Sequence, residues 1–235
     1  MPMPSMFEIY DNHAFEYDEL VSREDYEGNL PKTLHRLFDF RGKSVIELGV
    51  GTGRVTAMYI EAAKRAICFD RAQHMMDRAA MNLAAHASKL TFAIAANTEI
   101  DSIQDRADCI IEGWAFGHTA GENVANLEAT VAKIVRDCEA LCLPGGTIIL
   151  IETLGSNVTE PAPPSDSLRA FYDLLERQHG FTREVVRTDY KFDSLAEARR
   201  IFSFFFGLDE TRAQSIKSPI VPEFTGVWHR AKARE

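Results

Sequence analysis

The run VIELGVGTGRVT, residues 45–56, constrains this chain more than any other segment. A β-branched apolar stretch ends at Leu48, with Glu47 one place before its end, and Gly49, Gly51 and Gly53 follow at alternate positions. Glycines there let the main chain turn sharply and pass close to a ligand where a Cβ would clash. The helix that follows presents its N-terminal amides to electron-rich groups. Strand, glycine turn and helix in this order read as a nucleotide-type cradle in an α/β fold. A dinucleotide fingerprint, G-x-G-x-x-G, needs its third glycine at residue 54, where Arg54 stands, so pyrophosphate fits poorly.

Downstream spacing agrees with a cradle. After a helical stretch over 55–64, AICFD reads as a second buried strand ending at Asp70, about twenty residues beyond the first glycine, where such folds place a carboxylate that accepts ribose hydroxyls. A carboxylate at a strand end is equally able to cap the next helix.

The order Glu-Leu-Gly-Val-Gly-Thr-Gly, then Asp70, resembles the first motifs of class I S-adenosylmethionine (SAM) dependent methyltransferases. The resemblance covers roughly residues 40–155. It implies that Glu47, Gly49, Gly51, Gly53 and Asp70 hold SAM. The segment Arg71-Ala72-Gln73-His74-Met75-Met76 is similar to the family's D-x-S-x-x-M, with Ala72 in place of serine, and sets Arg71 beside the cofactor and Met75 on the adenine face. A core methionine on an amphipathic helix is the alternative. A third strand, 90–95, leads to Ala96-Asn97-Thr98. The family's adenine-binding aspartate falls on Ala96, so the role passes to Asn97, with Thr98 beside it, unless Asn97 is simply a turn residue.

The fourth strand, 107–112, ends at Glu112 and opens into Gly-Trp-Ala-Phe-Gly-His-Thr. In family members such a loop faces the sulfonium methyl group. His118 is then the candidate general base, because its ordinary pKa lies near neutrality. Trp114 and Phe116 are candidates to wall the acceptor. A structural histidine and packing aromatics are the competing reading.

Strands alternating with helices predict a parallel, doubly wound sheet with ligands beyond the carboxyl ends of its strands. A helix over 122–141 and a fifth strand over 147–152 after Pro144-Gly145-Gly146 continue the pattern. Then come a proline-rich loop (155–166), a helix (167–179), a sixth strand (181–192), a helical segment (194–217) and a last strand (220–232). The resemblance implies a seven-stranded order 3-2-1-4-5-7-6 with strand 7 antiparallel, plus helical lid segments. The expected organisation is one domain over 1–235: a helical cover (1–40), a cofactor-binding core (41–155) and a helical insertion between strands 6 and 7 (193–218). Phe205 in the insertion, with Tyr10 and Tyr17 in the cover, are candidate substrate contacts.

Composition narrows the partners. Of 235 residues 46% are hydrophobic, yet the longest apolar runs fall short of a membrane span, and the opening MPMPSMFEIYDNH lacks the basic and apolar regions of a signal peptide. No membrane partner and a cytoplasmic location are expected. A formal net charge of −9 disfavours nucleic acid, whose binding rests on basic surface. The four cysteines sit in apolar contexts, and no metal site is expected. The reading is methyl transfer from SAM to an oxygen, nitrogen or carbon of a small metabolite, with specialised biosynthesis as one setting and a homodimer left open. A non-catalytic SAM-binding subunit or scaffold, and more distantly an NAD-dependent oxidoreductase, are the alternatives.

Overall fold

The computed structural model describes residue 8 and residues 12–234. Strands β1 (Ser44–Leu48), β2 (Arg65–Asp70), β3 (Leu90–Ile94), β4 (Ala107–Gly113), β5 (Cys142–Ser156), β6 (Thr182–Arg187) and β9 (Glu223–Ala231) form one seven-stranded sheet in the order β3-β2-β1-β4-β5-β9-β6. The first five in that order run parallel, while β9 is antiparallel to both β5 and β6. This is the expected order, with β9 as the seventh strand. A separate two-stranded ribbon pairs β7 (Tyr190–Lys191) with β8 (Ile220–Val221).

The central strands are almost continuously apolar because both faces of the sheet are covered. Ile46, Leu48, Ile110, Ile148 and Leu150 point to one side and pack with α6 (Leu127–Leu141) and α7 (Asp166–Arg177). Val45, Cys109, Ile111, Ile149 and Ile151 point to the other and pack with α2 (Asn29–Leu37), α3 (Arg54–Tyr59) and α4 (Gln73–Asn82). All four cysteines are buried and reduced. Among the described residues no helix is long and apolar enough to cross a membrane.

Several boundaries differ from the sequence reading. The first crossover helix, α3, ends at Tyr59 rather than at 64, and the helix expected over 122–141 is two, α5 (Phe116–Glu122) and α6, with a 3-10 turn over Val124–Asn126 between them. The expected sixth strand stops at Arg187; Tyr190 and Lys191 leave the main sheet for the ribbon, and Pro222 separates β8 from β9. The insertion is broken at Gly207, whose φ of +60° closes α8 (Leu195–Phe206) in the left-handed conformation that favours glycine. A short α9 (Glu210–Ala213) follows, capped by the Asp209 side chain.

Helix α1 (Ala14–Val21) lies between the core and this insertion. Asp18 binds Arg78 of α4 at 2.8 Å, Glu19 binds Arg200 of α8 at 2.7 Å, and Arg23, just past the helix, binds Glu197 at 2.6 Å. The Tyr17 and Phe205 rings meet at 5.7 Å. Ion pairs that reach solvent contribute only about 0–1 kcal/mol each. Their value here is position: they tie α1 and the residues just after it to α4 of the core and to α8 of the insertion.

Candidate active site

Strand β1 has β2 on one side and β4 on the other, so the chain winds away in opposite directions and leaves a crevice beyond their carboxyl ends. The glycine turn fills its floor. Gly49 and Gly51 have φ of +73° and +54°, conformations that side chains strain to adopt. A Cβ on Gly49 would stand 2.4 Å from the Ala115 Cβ, so the two turns fit only because residue 49 has none.

Asp70 fixes this geometry. Its Oδ2 accepts from the Gly51 amide at 2.8 Å and its Oδ1 from the Ala72 amide at 2.9 Å. The carboxylate therefore ties the glycine turn to the start of α4 while also lining the cavity. The N-cap of α4 is Ala72, with no side-chain cap hydrogen bond, so Asp70 braces the residue before the helix and does not cap it.

A first cavity of about 880 Å³, open mouth included, lies over the turn. Tyr17, Gly49, Gly51, Asp70, Arg71, Met75, Asn97, Thr98, Trp114 and His118 all line it. A Cβ on Gly51 would project towards Met75 Cε (3.7 Å) and Tyr17 Cε1 (3.9 Å), filling space that a ligand needs. Asn97 spends its Nδ2 on the Ala115 carbonyl (3.1 Å) and Thr119 Oγ1 (3.2 Å), which leaves its carbonyl oxygen as the group able to accept. Ala95, Ala115, Thr119 and Glu122, to which the family resemblance gave no role, line the same space, as does Ala96, where the family's adenine-binding aspartate falls.

Four sequence candidates stand elsewhere, and Tyr10 lies outside the described residues. Glu47 turns beneath the sheet, 1% exposed, and accepts from Thr56 Oγ1 (2.7 Å) and Tyr59 Oη (2.6 Å). Gly53 opens α3 and packs on Leu83 and Ala79. Glu112 folds back so that Oε1 accepts from the Ala115 (2.5 Å) and Phe116 (2.9 Å) amides at the start of α5. Phe116 is fully buried in the core. Glu47 and Glu112 follow from the period of their strands: a strand residue just before the end points sideways, into a layer beside the sheet, and not over the edge.

Burial without a cation pushes the Glu47 carboxyl up to about 7, against the hydrogen bonds from Tyr59 and Thr56. The folded chain thus favours its protonated form. Its contribution to stability is full below the unfolded value of about 4.5 and declines as pH rises through 7. Between pH 5 and pH 8 the natural chain is expected to lose on the order of 2 kcal/mol that Glu47→Gln keeps. Paired urea melts check this; a variant-to-natural difference that stays flat with pH refutes it.

A second cavity, of about 740 Å³ with its mouth, adjoins the first and shares Tyr17, Trp114 and His118 with it. Phe205 and Phe206 of α8 line it, so the insertion reaches the site where the sequence placed Phe205. Trp114 holds a left-handed backbone, φ +54°, its amide bonded to the Ile151 carbonyl at 2.7 Å. Strain of this kind persists where surrounding structure enforces it. The Arg54 guanidinium lies 4.2 Å from the Trp114 ring centre. His118, on α5, has its imidazole held below its usual pKa by burial, opposed by Glu122 and assisted by Arg71. It is therefore neutral at pH 7.

The sequence reading missed the polar side of this second cavity: Glu24, Arg54, Glu152, Tyr190 and Glu223. Only Glu152 left a local signal, as the last residue of an apolar strand beside β4. Glu152 accepts from the Gly117 amide at 2.5 Å and lies close enough to Glu112 for the two charges to oppose each other. Two backbone donors favour the charge on Glu112, so Glu152, raised well above the ordinary carboxylate range by burial and by Glu112, carries the proton.

Against known proteins, residues 45–146 match a family model described as "Methyltransferase domain". The chain contains a class I SAM-dependent methyltransferase domain. An uncharacterized methyltransferase of Geobacillus kaustophilus is 27% identical over 184 residues, 76% of this chain and 80% of that protein. Among solved structures, a precorrin-6y C5,15-methyltransferase from Geobacter metallireducens superimposes with a TM-score of 0.52 at 18% identity, covering 84% of this chain and 86% of that one. An rRNA methylase from Streptococcus thermophilus does so at 0.50 and 13%, covering 87% and 95%. At such identities the superpositions show the shared fold. The methyltransferase domain implies SAM as co-substrate, and its matched span runs from β1 to the turn within β5.

Proposed function

We propose that the methyltransferase transfers the methyl group of SAM to a small metabolite, with the cofactor in the first cavity and the acceptor in the second. The observation that carries this is the shared wall: Tyr17, Trp114 and His118 border both spaces, so two ligands meet there. In the cofactor cavity, Asp70 would accept the ribose hydroxyls, the Asn97 carbonyl oxygen the adenine amino group, and Met75 would pack on the ring. When bound, SAM supplies an electrophilic methyl group on a sulfonium. What remains for the chain is alignment in a dry space, which alone accounts for much of the acceleration in such displacements. Neutral His118 would take the proton that an oxygen or nitrogen acceptor gives up. The roof of α1 and α8 would exclude water.

The aromatic second cavity, open on one side, supports a small acceptor. Its carboxylates and the net charge of −9 speak against a phosphate-backbone or anionic membrane-surface partner. The reading extends to a cytoplasmic enzyme. Calorimetry with SAM, S-adenosylhomocysteine and NAD tests the cofactor: binding of NAD without SAM ends this reading. Labelled SAM incubated with metabolite extracts tests turnover, and SAM binding with no label transfer across broad extracts favours a scaffold.

A further inference from the structure

The second cavity is aromatic on one side and charged on the other. On the charged side Glu24 and Arg54 form an ion pair at 2.6 Å, with side chains 4% and 14% exposed. Glu223, 2% exposed, opens β9 and accepts from Thr153 Oγ1 at 3.1 Å. Among the described residues three polar atoms of this group meet no partner at full hydrogen-bond geometry, Glu24 Oε1, Arg54 Nη2 and Glu223 Oε2, although the Tyr190 hydroxyl lies against Glu24 and the Ser156 hydroxyl against Glu223. Buried polar groups are paired in nearly all folded proteins, so unpaired ones lining a cavity mark a ligand's place.

The hydrogen-bonding groups of this wall select the ligand. Among the described residues Arg54 is the one Lys or Arg of this cavity wall, already answered by Glu24 and lying over Trp114. Glu152 and Glu223 are additional carboxyls without a matching cation in that wall. An anionic ligand would meet three carboxyl groups and one engaged guanidinium. An apolar one would strand all three unpaired atoms. A donor-bearing cation answers both free carboxylate oxygens.

We propose that the acceptor carries a cationic nitrogen, an amine or amidine, held between the free oxygens of Glu24 and Glu223 while its body packs on Tyr17, Trp114 and Phe205. This rests on the reading that the second cavity is the acceptor's. Burial, and then the neighbouring charge of Glu24, push the Glu223 carboxyl up to about 8, against Ser156, Thr153 and Arg54. At pH 7 the empty cavity therefore holds Glu223 protonated. A cation beside it favours the carboxylate, so binding releases a proton.

The test uses the full chain saturated with S-adenosylhomocysteine and three matched probes: tyramine, tyrosol and 4-hydroxyphenylacetate, which end in an ammonium, a hydroxyl and a carboxylate. Calorimetry is run in two buffers of different ionisation enthalpy. Tyramine is expected to bind at least tenfold more tightly than the other two and to release a proton. Glu223→Gln is expected to weaken tyramine about tenfold and abolish proton release, with tyrosol unchanged. Equal binding of all three, preference for tyrosol or the carboxylate, or no proton release overturns the proposal. The comparison within the natural chain stands whether or not the variant folds. Failure to bind S-adenosylhomocysteine instead overturns the methyl-transfer reading and is seen separately.

Discussion

His118→Ala is expected to lower kcat by a hundredfold or more while leaving SAM affinity within about twofold. The imidazole stands on α5 at the wall common to both cavities, and burial keeps it neutral at pH 7, the state a base needs. Positioned general bases typically contribute about 10²–10⁴ in rate. The groups assigned to the adenosyl moiety, Asp70, Met75 and Asn97, sit on other elements and do not depend on this ring. The pH profile carries a sign. With its pKa below the usual 6.5, His118 stays neutral to a lower pH than an ordinary imidazole, so the acid fall in activity has its midpoint below pH 6.5. His118→Gln fills similar space without titrating and should lose the acid limb of the profile along with the rate. Single-turnover assays with labelled SAM decide it; an unchanged rate in both variants makes His118 a wall and the acceptor one with no proton to lose.

The glycine turn and the lining of the first cavity were largely legible because they are local in sequence. Gly49, Gly51 and Asp70 lie within twenty-two residues, and the turn, the positive φ angles and the strand-end carboxylate each leave a mark that one segment displays alone. The sheet order came from the family resemblance, and strand and helix alternation supported it. Boundaries failed where tertiary structure overrides pattern: the alternation of 181–192 continues past Arg187, but Tyr190 and Lys191 pair with β8 instead of β9. Glu47 and Glu112 were misplaced for a similar reason. Proximity to a ligand loop in sequence does not say which way a side chain points, and each found donors within its own layer. The polar side of the second cavity was illegible because it is assembled from distant pieces. Glu24 follows α1, Arg54 starts α3, Tyr190 lies in the ribbon and Glu223 begins the last strand; no spacing links them, and an isolated charge in a sequence is ordinarily a solvated one.

Asp70→Ala is expected to weaken SAM binding by about 1–3 kcal/mol, a factor of roughly 5 to 150, because it strands hydrogen-bonding groups that the natural chain satisfies. Two effects contribute. The variant loses the acceptor for the Gly51 and Ala72 amides, so the glycine turn is held less firmly before any ligand arrives. It also loses the carboxylate proposed to receive the ribose hydroxyls. A cycle with two ligands separates them: S-adenosylhomocysteine and its 2′,3′-dideoxy analogue, each measured by calorimetry against both chains. The turn effect weakens both ligands alike and cancels in the cycle, whereas direct acceptance appears as a coupling between the carboxylate and the hydroxyls. In the natural chain the dideoxy analogue should therefore bind about tenfold or more weakly than its parent, and in Asp70→Ala the two should bind nearly equally. Were both chains to distinguish the ligands by the same factor, the coupling would be zero; Asp70 would then be a brace for the turn, and the ribose would be held by another group around the same cavity.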